Sequence, residues 1–245
     1  MDKASGRKKT FHDLSPREYM YFPKGILEMG RPGQSSALEL THIIFAMLVL
    51  TIAFSFPLSQ NSLLKILITN QGFNISTLPS GFALSFVAIV SAFFCHELSH
   101  KLMAQHYKLW SEFRMYPKGL LASLLLSTFT GFVFATPGAV MFQGDPRPFE
   151  EGKIAMAGPL ANMILACIFL PLFLFVFYNE PGVLRDTIGI ICLINIVFAL
   201  FNLFPFGPLD GVKIFQWSPA VWTTMFIISG CLMVLLFPFV RTFIS

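Results

Sequence analysis

The chain has 245 residues, 55% of them hydrophobic and only 12% charged, about half the charged share of an ordinary soluble domain. That balance excludes such a domain, whose surface would carry large uncovered apolar patches, and it points to a polytopic membrane protein. The formal charge of +4 is modest and implies no nucleic-acid partner.

Residues 1–36 are polar and basic, with Lys3, Arg7, Lys8, Lys9, Arg17, Lys24 and Arg31. No apolar run follows the first charges, so this is no cleavable signal peptide. It reads as a cytoplasmic tail, in which Ser15, Pro16 and Glu18 could open a short capped helix. A first span is expected over Ala37–Leu58, ended by Pro57 and a polar loop, and a second from Gly81 to about Gln105. Each comes close to or reaches the roughly 20 apolar residues needed to cross a bilayer.

Leu120–Ala135 is short for a span, and Thr136–Phe142 favours extended structure. Later spans are expected over about Ile154–Tyr178, Thr187–Phe204 and Val221–Val240. The expected fold is therefore an all-α polytopic membrane helix bundle of about five to six spans. A re-entrant or short β-hairpin element would lie between the second and third core spans. One membrane-embedded domain, 37–245, would follow the tail. With the N-terminus inside and Leu120–Phe142 entering and returning, only Lys65, Arg185 and Arg241 of the 17 Lys and Arg residues fall outside, as the positive-inside rule prefers. If that segment instead crosses once, the charge bias is nearly as good, so charge alone leaves both topologies open.

The cysteines, Cys95, Cys167, Cys192 and Cys231, all lie in apolar runs without C-x-x-C spacing and read as packing residues. "FFCHELSHKL", residues 93–102, is different, because it sets an H-E-x-x-H cluster in the last third of the second span. Four residues apart on a helix, His96 and His100 stand about 40° apart around the axis and about 6 Å along it, so both imidazoles can reach one ion. Glu97 projects about 100° from His96, beside such an ion as a base and not as a ligand. The bland alternative is a polar helix end that snorkels to water, and it suits His106 and His42. It suits His96, Glu97 and His100 poorly, since three costly groups at membrane depth call for an ion or a partner.

Two histidines need a third protein ligand to hold zinc with one position open for water. "NLFPFGPLDGVK", residues 202–213, ends an apolar span with Asp210, and Pro205 and Pro208 break the helix around it. Such irregular backbone survives at membrane depth only when protein or a water-filled cavity surrounds it.

H-E-x-x-H in one membrane helix followed about a hundred residues later by N-x-x-P-x-x-x-x-D-G resembles the site-2 proteases, the intramembrane zinc metalloproteases. The second motif is matched by Asn202, Pro205, Asp210 and Gly211, and "AGPLAN", residues 157–162, is similar to an element before the family's third core helix. The resemblance covers about residues 81–216. It implies that His96, His100 and Asp210 ligate Zn2+, that Glu97 is the general base, and that Asn162 and Asn202 support the site or orient substrate.

The same resemblance implies an enzyme that hydrolyses peptide bonds within or near transmembrane helices of membrane-protein substrates. The bilayer is its other partner, and the expected setting is a prokaryotic cell membrane with the N-terminus and active site toward the cytoplasm. It also requires Leu120–Phe142 to enter and leave on one side. Control would come through the tail, the flanking helices or a regulatory membrane partner, since no sensor domain is evident. A metal-binding transporter or channel is the alternative, although no inverted repeat is visible; an inactive relative is disfavoured because all four chemical residues are present.

Overall fold

The computed structural model describes residues 35–132, 137–143, 146–177 and 182–244. Nearly all of the basic tail, the Ser15–Glu18 cap included, lies outside the described residues, as do Thr136 and Tyr178. Helix α1, Ala37–Leu58, has the limits expected from sequence, and the Ser36 side chain caps it by accepting from the Glu39 N–H. Short α2, Leu63–Thr69, lies in the loop that follows. Helix α3, Leu78–Ile89, runs through a π-helical turn, Val90–Phe94, into α4, Cys95–His106, so one rod carries the whole H-E-x-x-H cluster.

The segment between the second and third long helices is more elaborate than expected. Strand β1, Trp110–Met115, precedes α5, Pro117–Thr130, and strand β2, Gly138–Gln143, follows it. The strands pair antiparallel, from Trp110 opposite Gln143 to Met115 opposite Gly138. A proline at its first turn starts α5, and Gly131 in the left-handed conformation (φ 74°) stops it. Because the two strands lie side by side, whatever joins them must come back to where it left. The arch is therefore a hairpin with a helix in its loop.

The helices α6, Pro148–Leu172, α7, Val183–Asn202, α8, Asp210–Trp217, and α9, Pro219–Ile244, complete the chain. Helix α6 packs mainly on α7 and α4, while α1 packs on α3 and α5. Five helical stretches among the described residues are long and apolar enough to cross a membrane: Ala37–Thr69, Ile75–His106, Pro148–Val176, Val183–Asn202 and Pro219–Phe237. Much of the interior is small, with Ala46, Ala53, Ala88, Ala92, Ala166 and Ala199 fully buried, whereas Leu40, Ile44, Phe45, Leu48 and Ile52 of α1 face outward. Small residues let helices approach, and lipid covers the large side chains outside.

Strand β1 was not foreseen because Glu112 and Arg114 read as loop charges. They pair with each other on one face of the strand, and both are buried. On the other face Phe113 packs edge-on against Phe93 of the π turn, ring centroids 5.5 Å apart. The strand is also tied to α1. Glu39 is fully buried, forms an ion pair with buried Lys101 of α4 and accepts the Phe113 N–H at 3.0 Å.

One carboxylate thus fastens α1, α4 and β1 together. Removing it strands a buried ammonium and an amide, which typically costs about 3–5 kcal/mol. Glu39→Ala is expected to lower the thermal midpoint in detergent sharply, while Glu39→Gln, which keeps an acceptor for Phe113, lowers it less. Equal midpoints for the two would show that the amide bond contributes nothing.

Candidate metal centre

Three donors converge where α4, α6 and α8 meet. His96 Nε2 lies 3.0 Å from His100 Nε2, and Asp210 Oδ2 lies 3.2 Å and 3.1 Å from them. Of the groups of His, Cys, Asp and Glu among the described residues, this one could hold a metal ion. Helical spacing brings the histidines together, and Asp210 arrives at the first turn of α8, after the proline-broken stretch that ends α7.

The other imidazole nitrogens fix what the converging atoms are. His100 Nδ1 is 2.7 Å from the Ile154 carbonyl, which can only accept, so Nδ1 carries the proton. His96 Nδ1 is 2.7 Å from Asn162 Oδ1, likewise an acceptor. In the neutral form of the rings, both Nε2 atoms therefore present lone pairs.

Two lone pairs and a carboxylate face one another with no proton of their own. A cation resolves that repulsion. Tetrahedral zinc with bonds of about 2.0–2.1 Å to nitrogen and oxygen separates its donors by roughly 3.3–3.4 Å, close to the spacing found here. The donor set fits the ion, with three protein ligands and room for a fourth, which is the pattern of a catalytic site.

That room depends on Gly158 of α6. A Cβ there would collide with His100 Nε2 and lie 2.6 Å from His96 Nε2. Gly211 is needed at the other side, because a Cβ would run into the Leu203 carbonyl where α8 meets the end of α7.

Beside the donors lies a cavity of about 100 Å³, walled by residues that include Phe93, Glu97, Val140, Asn202 and Lys213. Glu97 is buried; it accepts from the Val140 N–H, and its Oε2 has no partner. The direction of that N–H follows from the ladder. Since the Phe113 N–H goes to Glu39, Phe113 and Val140 form a non-hydrogen-bonded pair, and the Val140 N–H points away from β1.

The structure thus gathers His96, Glu97, His100, Asp210 and Asn162 in one place. Asn202 lines the cavity, but its amide donates to the Phe198 carbonyl at 3.0 Å in its own helix. His42 and His106 do not join the cluster, and all four cysteines are free thiols. Sequence reasoning missed Lys213, although its place three residues after Asp210 puts both on one face of α8. It also missed Asn195 of α7, which no motif marks.

An apolar helix bundle that carries two histidines and a carboxylate able to hold a metal ion, beside a glutamate with one oxygen free, has the make-up of a metal-dependent hydrolase. The chain is 42% identical over 143 residues to a protein of Methanocaldococcus jannaschii named "Putative zinc metalloprotease MJ0611"; the match spans 58% of this chain and 73% of that protein. It is 29% identical over 147 residues to "Putative zinc metalloprotease YwhC" of Bacillus subtilis, across 53% of this chain and 66% of that protein. No family model matches, and no solved structure matches. The chain belongs to the zinc metalloprotease family of the first of these relatives, and zinc is its cofactor.

A methyl group at position 158 would occupy space beside both imidazoles. Gly158→Ala is expected to lose most of its zinc on purification, as measured by elemental analysis against wild type. Full zinc content in the variant would show that α6 can withdraw from the histidines.

Proposed function

We propose that this protein is an intramembrane zinc metalloprotease of the site-2 type, hydrolysing peptide bonds within or near transmembrane helices of membrane-protein substrates. The observation that carries the reading is the convergence of His96 Nε2, His100 Nε2 and Asp210 Oδ2 beside the unpaired Glu97 Oε2, inside a bundle of apolar helices. His96, His100 and Asp210 hold the ion, which when bound supplies a Lewis acid that activates water and polarises the scissile carbonyl.

Glu97 does the proton work. Its unpaired oxygen accepts a proton from the attacking water as the water oxygen bonds to the carbonyl carbon, and it delivers that proton to the departing amine as the C–N bond breaks. One new carboxylic acid and one new amine result, and the acid then gives up its proton to solvent. The Val140 N–H holds the other side of the carboxyl so that the reactive oxygen stays turned to the cavity. Transport of an ion would need no such unpaired base.

Substrate recognition follows from β2. Among the described residues this strand has β1 on one side only, and Gly138, Ala139 and Val140 wall the cavity. A substrate segment laid in extended form along the outer edge gains main-chain hydrogen bonds from the groups there other than the Val140 N–H, which Glu97 holds, and comes to lie over the donors. A helical segment must unwind to do so. The charge bias of the loops and tail favours a cytoplasmic N-terminus and a site open to that side.

Two substitutions test this reading on a model transmembrane substrate in liposomes, with zinc assayed in each preparation. Glu97→Gln is expected to keep its zinc and lose at least about 100-fold in cleavage rate, the usual scale of general acid–base catalysis. Val140→Pro removes the N–H that orients Glu97 and disrupts the strand edge, so cleavage should cease while zinc stays bound. Undiminished cleavage by Glu97→Gln would refute the mechanism; undiminished cleavage by Val140→Pro would refute both the strand model and the orienting role of the Val140 N–H.

A further inference from the structure

Behind the histidines a chain of polar groups runs away from the metal centre through three helices. His96 Nδ1 donates to Asn162 Oδ1 of α6 at 2.7 Å. Asn162 Nδ2 donates to the Ala92 carbonyl in the π turn at 2.9 Å and to Asn195 Oδ1 of α7 at 2.9 Å. Asn195 Nδ2 in turn donates to the Ile191 carbonyl at 2.8 Å and to Ser91 Oγ at 3.1 Å, and Ser91 Oγ donates to the Ala88 carbonyl at 2.8 Å.

Both asparagines are fully buried. A buried amide must place every donor and acceptor, and the partners here leave one arrangement. The Ala92 and Ile191 carbonyls accept only, so Nδ2 of each asparagine must face its carbonyl and Oδ1 must face the other way. All the bonds from His96 to Ala88 therefore point in one sense, each donor polarising the next.

A π turn is a local insertion in a helix and is frequent at functional sites. Here it supplies two of the partners behind Asn162, the Ala92 carbonyl and the Ser91 hydroxyl. If Asn195 lost its acceptor, one Nδ2 proton of Asn162 would be stranded in the apolar interior. Rotation of that amide would then compete with the bond to His96.

We propose that Asn195 and Ser91 are positioning residues for the metal centre: they lock the amide of Asn162, and through it the His96 tautomer that presents Nε2 to the ion. The proposal rests on the reading of His96, His100 and Asp210 as zinc ligands. Supporting partners of ligand histidines typically contribute 10–100-fold in metal affinity. Asn195, one step further out, acts at the lower end of that range.

The test compares purified full-length variants in detergent by chelator competition for zinc, together with the ¹⁵N NMR signature of the His96 ring in zinc-free protein. Asn195→Leu removes the acceptor at similar size, and Asn195→Asp restores an acceptor. Ser85→Ala is the control, since Ser85 Oγ donates to the Thr51 carbonyl at 2.6 Å and joins α3 to α1 away from the metal centre.

The expected result is a roughly tenfold weaker zinc affinity for Asn195→Leu, with a mixture of His96 tautomers. Asn195→Asp should recover most of the affinity, and Ser85→Ala should change thermal stability alone. Wild-type affinity and a single Nδ1–H tautomer in Asn195→Leu would overturn the proposal while leaving the zinc ligands in place. Zinc binding that survives His96→Ala unchanged would instead overturn the ligand reading and the proposal with it. Should Asn195→Leu fail to fold, Ser91→Ala strands one Asn195 N–H and serves in its place: weaker zinc supports the chain, and unchanged zinc overturns it.

Discussion

Everything in this molecule answers to one electrostatic requirement. Three Lewis bases stand about 3 Å apart in surroundings where an uncompensated charge is costly, and only a cation between them makes the arrangement favourable. Charge alone would not place them, since a carboxylate and two flexible imidazoles could separate. What keeps them together is that each is held from behind. His100 is pinned to the Ile154 carbonyl and His96 to Asn162, while the start of α8 fixes Asp210. The protein spends its few buried polar groups on that support, and the remainder of the bundle is small-residue packing with a lipid-facing exterior.

A second polar cluster performs a similar service for the strand edge. Glu39 lies far from the metal ligands in sequence, yet it accepts the Phe113 N–H, and that bond shows which way β1 and β2 present their backbones. Val140 then turns its N–H toward Glu97. The base of the proposed reaction is thus oriented by main chain, through a ladder whose register is anchored in the first membrane helix. Side chains of α1 influence the site without approaching it.

Much of this was legible in the sequence. Composition gave the membrane class, the limits of α1 could be read as Ala37 to Leu58, and the H-E-x-x-H spacing announced two donors on one helical face. Asp210 could be found because Pro205 and Pro208 break a span that would otherwise run on. The arch was legible only in part. Thr136–Phe142 looks extended, but Trp110–Met115 hides its alternation behind Glu112 and Arg114, whose charges cancel each other only once the strand is folded. Asn195 and Lys213 were not legible at all, because a lone asparagine in an apolar run and a lysine after a helix start have many ordinary explanations. Their roles follow from who their neighbours are, and that is set by the packing of helices distant in the chain.

The outer edge of β2 carries a consequence for choice of substrate. An edge of main-chain groups reads backbone, and backbone is the same for nearly every residue. On the proposed reading, discrimination among membrane helices therefore falls to how easily each one gives up its own hydrogen bonds. Glycine and proline lower that cost by about 1 and 3 kcal/mol relative to alanine, whereas an unbroken run of leucine and alanine resists unwinding. Such an enzyme sorts its targets by local helix stability, and a helix could become a substrate, or cease to be one, without any change in the residues at the bond that is cut.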